Sequence, residues 1–137
     1  MMKLQSDSPD QTMRIAKEFS KKVKGGDVIC LRGDLGAGKT QFVRGFVQGF
    51  GFTGNEVSSP TFTVINEYRG EPSIYHFDCY RLEHYSEAVE IGAEEYFYGD
   101  GITIIEWPDK IAEILPNDSV NITIEVLSEN KREFVFH

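Results

Sequence analysis

The chain has 137 residues, with 14 Lys or Arg against 22 Asp or Glu, a formal net charge of −8, and 40% hydrophobic residues. This length suits a single domain over residues 1–137 that needs no disulfide or metal to fold, and the apolar fraction excludes a disordered chain. The acidic balance argues against a stand-alone nucleic-acid binder, and no apolar run approaches the ~20 residues that cross a bilayer, so no membrane association is expected.

The first residues, Met1-Met2-Lys3-Leu4-Gln5-Ser6-Asp7, lack the apolar core of a secretion signal, so the expected compartment is the cytoplasm. There Cys30 and Cys79 should be reduced and buried, and no Cys-x-x-Cys or paired His suggests that they hold a metal. Ser8, Pro9 and Gln11 predict the cap, first turn and capping box of an opening helix, ended by Gly25-Gly26. Its packing face should carry Met13, Ala16, Phe19 and Val23. A short apolar strand over 27–32 follows, then a Gly-rich loop over 33–40 and a helix over 41–48 packing through Phe42, Val43, Phe46 and Val47.

Beyond Gly51 the period falls from 3.6 to 2. Strands over 61–68 and 73–78, joined by Arg69-Gly70-Glu71-Pro72, predict a β-hairpin. A helix is expected from Ser86 through Ala88, Ile91 and Tyr96, broken at Gly99-Asp100-Gly101. Ile102-Thr103-Ile104-Ile105 has the composition of a strand buried on both faces. A short helix over 108–115 and a closing hairpin, 120–127 with 133–136, complete the chain. The expected fold is therefore α/β of the P-loop NTPase type. It is a mixed, mostly parallel sheet around the Val28 and Ile104 strands, flanked by short helices and extended by hairpins.

Gly33-Asp34-Leu35-Gly36-Ala37-Gly38-Lys39-Thr40 matches G-x-x-x-x-G-K-[ST] without a gap, a pattern that arises by chance in about 1 in 100 chains of this composition. An apolar strand enters the loop and a helix leaves it, which is the context a phosphate cradle needs. The glycines let successive N–H groups face one anion, and the helix start adds its positive dipole end. Lys39 then reaches the β- and γ-phosphates, and the Thr40 hydroxyl can ligate Mg²⁺. The plainer alternative is a Gly-rich turn with a solvated lysine.

Two strand-end carboxylates compete to hold the metal from the far side and to orient a nucleophile. Asp78 ends the strand Ile74-Tyr75-His76-Phe77, and Glu106 ends the more uniformly apolar one. Glu106 is favoured as the Mg²⁺ ligand, directly or through water, with Asp78 behind it or positioning the attacking water. Either could instead simply cap a loop. Ser59-Pro60-Thr61-Phe62 stands where a nucleotide-sensing loop is kept, so Ser59 and Thr61 are candidate switch residues. Trp107 either covers the site, stacks on a partner, or is a half-buried aromatic at a helix start. Arg81 is a candidate arginine finger in cis, the alternative being one supplied in trans. His76, His84 and His137 have no ligand or triad spacing, and no chemistry is assigned to them.

The loop motif, Ser59-Pro60-Thr61-Phe62-Thr63, His76-Phe77-Asp78-Cys79-Tyr80-Arg81-Leu82 and Ile105-Glu106-Trp107-Pro108 together resemble, in order and spacing, the TsaE family. This is the small bacterial ATPase of the tRNA threonylcarbamoyladenosine machinery. The resemblance implies Mg²⁺-dependent ATP binding and hydrolysis in a cytoplasmic complex with the TsaD and TsaB proteins. Those partners transfer the threonylcarbamoyl group, and the ATP cycle resets or licenses them. By position Lys39 and Thr40 match the family's phosphate and Mg²⁺ residues and Glu106 its second metal residue. Asp78 and Trp107 match positions linked to activity, and Thr12 and Arg132 match regions near the nucleotide. The acidic composition then suggests that tRNA is met only through the complex.

Two other classes are weighed. A GTPase would carry D-x-x-G, but Asp78-Cys79-Tyr80-Arg81 lacks the glycine, and Asn130-Lys131-Arg132-Glu133 only nears a guanine reader, within a hairpin turn. The more serious alternative is a small P-loop nucleoside or metabolite kinase, which would need a lid and an acceptor pocket that this length barely allows.

Overall fold

The computed structural model describes residues 2–34, 36–58 and 65–137. In chain order its first elements are β1 (Met2–Ser6), α1 (Pro9–Ser20), β2 (Val28–Arg32), α2 (Lys39–Gln48), β3 (Ile65–Tyr68) and β4 (Ile74–Asp78). Then come α3 (Tyr85–Glu90), α4 (Ala93–Phe97), β5 (Ile102–Glu106), a 3₁₀ helix (Pro108–Ile114), β6 (Val120–Val126) and β7 (Arg132–Phe136). They fall into two compact units: Met1–Val23, Arg32–Ser59 and Asn121–His137 form one, Lys24–Leu31 and Pro60–Val120 the other.

In the first unit β1, β7 and β6 form an antiparallel ladder, with Met2 opposite Phe136 and Phe136 opposite Ile122. The β6–β7 pair is the expected closing hairpin. β1 had no signal of its own: four of its five residues are exposed, and its register comes from β7 at the far end of the chain. α1 starts as expected, with Ser8 Oγ accepting the Gln11 N–H at 3.1 Å and Pro9 in the first turn. Gln11 Oε1 closes back onto the Asp7 N–H at 2.7 Å, one residue earlier than a capping box requires.

Regular α1 stops at Ser20, short of Gly25, because the N–H groups of Lys21, Lys22 and Val23 bond three residues back and tighten the last turn. Its fully buried positions are Thr12, Ala16 and Ser20, while Met13 and Phe19 are only half-buried. The small side chains belong there because α2 approaches closely: a Cβ on Gly45 would overlap the Met13 backbone, and one on Gly49 would overlap Ser20. Phe19 closes the contact from the side, its ring 6.1 Å from those of Phe42 and Phe46 and 5.2 Å from Phe136. Phe42, Val43, Phe46 and Val47 are all fully buried, as their spacing predicts.

In the second unit β2, β5 and β4 run parallel and β3 is antiparallel to β4, giving the order β2-β5-β4-β3. β5 lies between two partners, so all five of its residues are buried, as its composition requires. The predicted hairpin over 61–78 is present as β3 and β4, with residues 61–64 outside the described part. The single helix expected from Ser86 is in fact two, α3 and α4. Gly92 at φ 79° separates them and caps α4, a left-handed conformation that glycine adopts without strain. The segment after Trp107 is a 3₁₀ helix rather than an α-helix, irregular at Ile111.

Candidate functional site

The Gly-rich loop lies in the first unit. α2 begins at Lys39, two residues earlier than expected, and its N-cap is Gly38 at φ 102°. Glycine brings no capping side chain, so the first-turn N–H groups that lack a helical acceptor have no side chain over them. Arg132 reaches the loop from β7: Nε–H donates to the Ala37 carbonyl at 3.1 Å and Nη2–H to the Gly36 carbonyl at 3.4 Å. A trans peptide points its N–H opposite to its carbonyl. Holding the Ala37 oxygen therefore turns the Gly38 N–H away from Arg132.

Lys39 is buried, only 6% exposed, and its Nζ donates to the Gly33 carbonyl at 2.7 Å. The ammonium is folded back across the loop, so the solvated-lysine alternative does not describe it. Thr40 is half-buried and Asp34 exposed. The Thr12 hydroxyl lies 2.7 Å from Ser6 Oγ where β1 meets α1. Leu35, Ser59 and Thr61 lie outside the described residues.

The two carboxylates belong to the second unit. Asp78 and Glu106 are register partners at the carboxyl ends of the parallel strands β4 and β5. They are held differently. Asp78 is half-buried and its Oδ1 accepts the Tyr80 N–H at 3.0 Å, the loop-capping role that a strand-end aspartate can fill. Glu106 is buried, 5% exposed, and its Oε2 lies 2.5 Å from Nε2 of the fully buried His76. Trp107 is half-buried at the start of the 3₁₀ helix, in the left-handed region at φ 59°, with its ring 5.0 Å from that of Tyr80. Arg81 is exposed.

His76 is the residue that the sequence reading passed over. Spacing rules look for a second histidine or a nucleophile and found neither. The available signal was different: an imidazole inside the apolar run of β4 needs a buried partner, and a carboxylate ends the neighbouring strand.

Cys30 and Cys79 are free and buried, as expected. Burial, reinforced by the nearby Asp78, Cys30 and Glu106, pushes the Cys79 thiol up to about 12. An unfolded cysteine titrates near ~8.5, so the folded state holds this proton more tightly. The resulting stabilisation is complete below that value and is lost as pH rises towards 12. Urea midpoints at pH 8 and pH 10 should therefore show a fall at the higher pH, smaller in Cys79→Ala than in the wild type. In the native protein at pH 8, Cys79 should resist a thiol reagent that modifies it after unfolding.

Thr40 and Glu106 offer hard oxygen donors, the class that suits Mg²⁺. Among the described residues no three of His, Cys, Asp or Glu gather into a metal cage. Magnesium at a triphosphate does not need one, because phosphate oxygens and water fill most of its positions.

A model of the family described as "Threonylcarbamoyl adenosine biosynthesis protein TsaE" matches residues 6–134. The chain is 44% identical over 136 residues to a Bacillus subtilis (strain 168) protein named "tRNA threonylcarbamoyladenosine biosynthesis protein TsaE", covering 98% of this chain and 84% of that one. It is 39% identical over 132 residues to the protein of the same name from Treponema pallidum (strain Nichols), covering 96% and 97%. The fold is similar to that in "Crystal structure of Bacillus subtilus YdiB", with a TM-score of 0.81 and 38% identity over 98% of this chain and 83% of that one. With the family model matching nearly the whole length and relatives this similar, the chain belongs to the TsaE family.

Proposed function

We propose that the protein binds and hydrolyses Mg·ATP, and serves as the ATP-consuming member of the assembly that makes threonylcarbamoyladenosine in tRNA. The observation that carries this reading is the buried Lys39 ammonium, folded over a loop whose helix start has no side-chain cap. A triphosphate entering the loop would bring charged oxygens to this ammonium, and charge-assisted bonds of that kind are the strong ones. The first-turn N–H groups of α2 then hold the phosphates, and Arg132 keeps the loop in shape from behind.

In this reading Thr40 and Glu106 hold the ion, and Asp78 positions the attacking water. Bound Mg²⁺ supplies charge neutralisation at the phosphate oxygens. The rest is positioning: the chain aligns water with the γ-phosphorus, and phosphate leaves without a covalent intermediate on the protein. Ser59 and Thr61 are the proposed nucleotide-sensing hydroxyls, and Arg81 the proposed arginine finger in cis. The partners are TsaD and TsaB, and tRNA is met only through them, which suits a chain of net charge −8. The compartment is the cytoplasm. Among the described residues no helix is long and apolar enough to cross a membrane.

The test is phosphate release from ATP and from GTP, with and without TsaB and TsaD. ATP should be the better substrate, turnover should be slow in isolation, and the partners should raise it. Phosphate transfer to a nucleoside or metabolite, in place of release into water, would overturn the reading in favour of a kinase.

A further inference from the structure

The second unit contains a buried polar pair, His76 and Glu106, of which the proposed ATPase reaction uses only the glutamate. His76 lies in the middle of β4, between Tyr75 and Phe77, and is fully buried. Its Nε2 is 2.5 Å from Glu106 Oε2 on the adjacent strand. The contact is a diagonal one, because His76 is in register with Ile104 and Glu106 with Asp78. The imidazole therefore leans along the sheet towards the carboxyl end, and the glutamate leans back to meet it. Nδ1, the other ring nitrogen, is buried with no hydrogen-bond partner among the described residues. The single polar engagement of this buried ring is thus the Glu106 carboxylate.

We infer that His76 is the positioning residue for Glu106: its Nε2–H donates to Oε2, fixes the side-chain rotamer, and leaves Oε1 to face the divalent ion or its bound water. This rests on the reading of Glu106 as a Mg²⁺ ligand. An ionised carboxylate is acceptor-only and a neutral imidazole has one N–H, so the geometry puts that hydrogen on Nε2 and leaves Nδ1 bare. Among the described residues no hydrogen bond holds the ring at Nδ1. Glutamate otherwise has three free torsions, and a metal ligand that must first find its rotamer binds more weakly. Oε1 has no hydrogen-bond partner among the described residues, which leaves both its lone pairs available. Outer partners of this kind are worth about 10–100-fold in metal affinity.

Three measurements test this. Long-range proton–nitrogen spectra of histidine-labelled free protein should show His76 as the Nε2–H tautomer, and that signal should move in Glu106→Gln. Mn²⁺ binding, read by electron paramagnetic resonance with a non-hydrolysable ATP analogue, should weaken about 10-fold or more in His76→Phe. His76→Gln, whose amide N–H extends to the same oxygen, should recover most of the affinity, and thermal melts should confirm that both variants fold. In phosphate release, His76→Phe should raise the Mg²⁺ concentration for half-maximal rate more than it changes KM for ATP.

A ring found as the Nδ1–H tautomer would overturn the proposal. So would wild-type Mn²⁺ affinity in a folded His76→Phe when Glu106→Gln has lost it. If Glu106→Gln also binds Mn²⁺ normally, Glu106 is not a ligand and both readings fall. If the wild type binds no Mn²⁺ with the analogue, the nucleotide reading falls, while the tautomer spectrum still decides the His76–Glu106 bond.

Discussion

Replacing Lys39 with alanine should reduce nucleotide binding and phosphate release by about 100-fold or more, the scale seen when one preorganised charge-stabilising donor is removed. Lys39 is only 6% exposed and its ammonium bonds the Gly33 carbonyl, so it is already folded over the loop before any ligand arrives. The fold should survive, because alanine is a strong helix former at the first position of α2 and removing a buried cation relieves its desolvation. Lys39→Arg should not restore activity: the planar guanidinium cannot take the place of a compact ammonium in a confined site. Equilibrium binding of a fluorescent ATP analogue and thermal melts would check the two halves of this expectation. Unchanged turnover in Lys39→Ala would remove the loop from the mechanism.

Glu106→Ala should abolish hydrolysis, a loss of about 100-fold or more, and flatten the dependence on Mg²⁺ while leaving nucleotide binding in place. The structure adds a stability cost. Removing the carboxylate leaves His76 buried without its one hydrogen-bond partner among the described residues, which costs about 1–3 kcal/mol. Glu106→Gln keeps the volume and an oxygen for the imidazole, so it should be nearly as inactive but more stable than the alanine variant. Phosphate release at graded Mg²⁺ and urea midpoints for both variants separate the two effects. If Asp78→Ala is the inactive variant and Glu106→Ala is not, the assigned order of the carboxylates is reversed.

What could be read from the sequence was what local chemistry dictates. The Ser8 cap and the apolar run of β5 each announce themselves within a few residues and are found where expected, while the Gly-rich motif announces itself as locally but is followed by a helix that starts two residues early. What could not be read depends on partners distant in the chain. β1 carries Lys3 and Gln5 and exists because β7 offers it a ladder. The buried face of α1 turns towards Thr12, Ala16 and Ser20 because Gly45 and Gly49 let another helix come close. The break at Gly92 was legible but was outweighed by the helical spacing around it. His76 shows the same limit: its contact with Glu106 runs across strands, where no linear spacing rule detects it.

β5 has hydrogen-bonded neighbours along both edges and no exposed residue, so it should be among the last segments to open to solvent and the stiffest to bend. Glu106 is its final residue. In the proposed hydrolysis, an acid anchored on so rigid a beam would serve as a fixed reference point, and other segments of the chain would carry the rearrangements of the cycle.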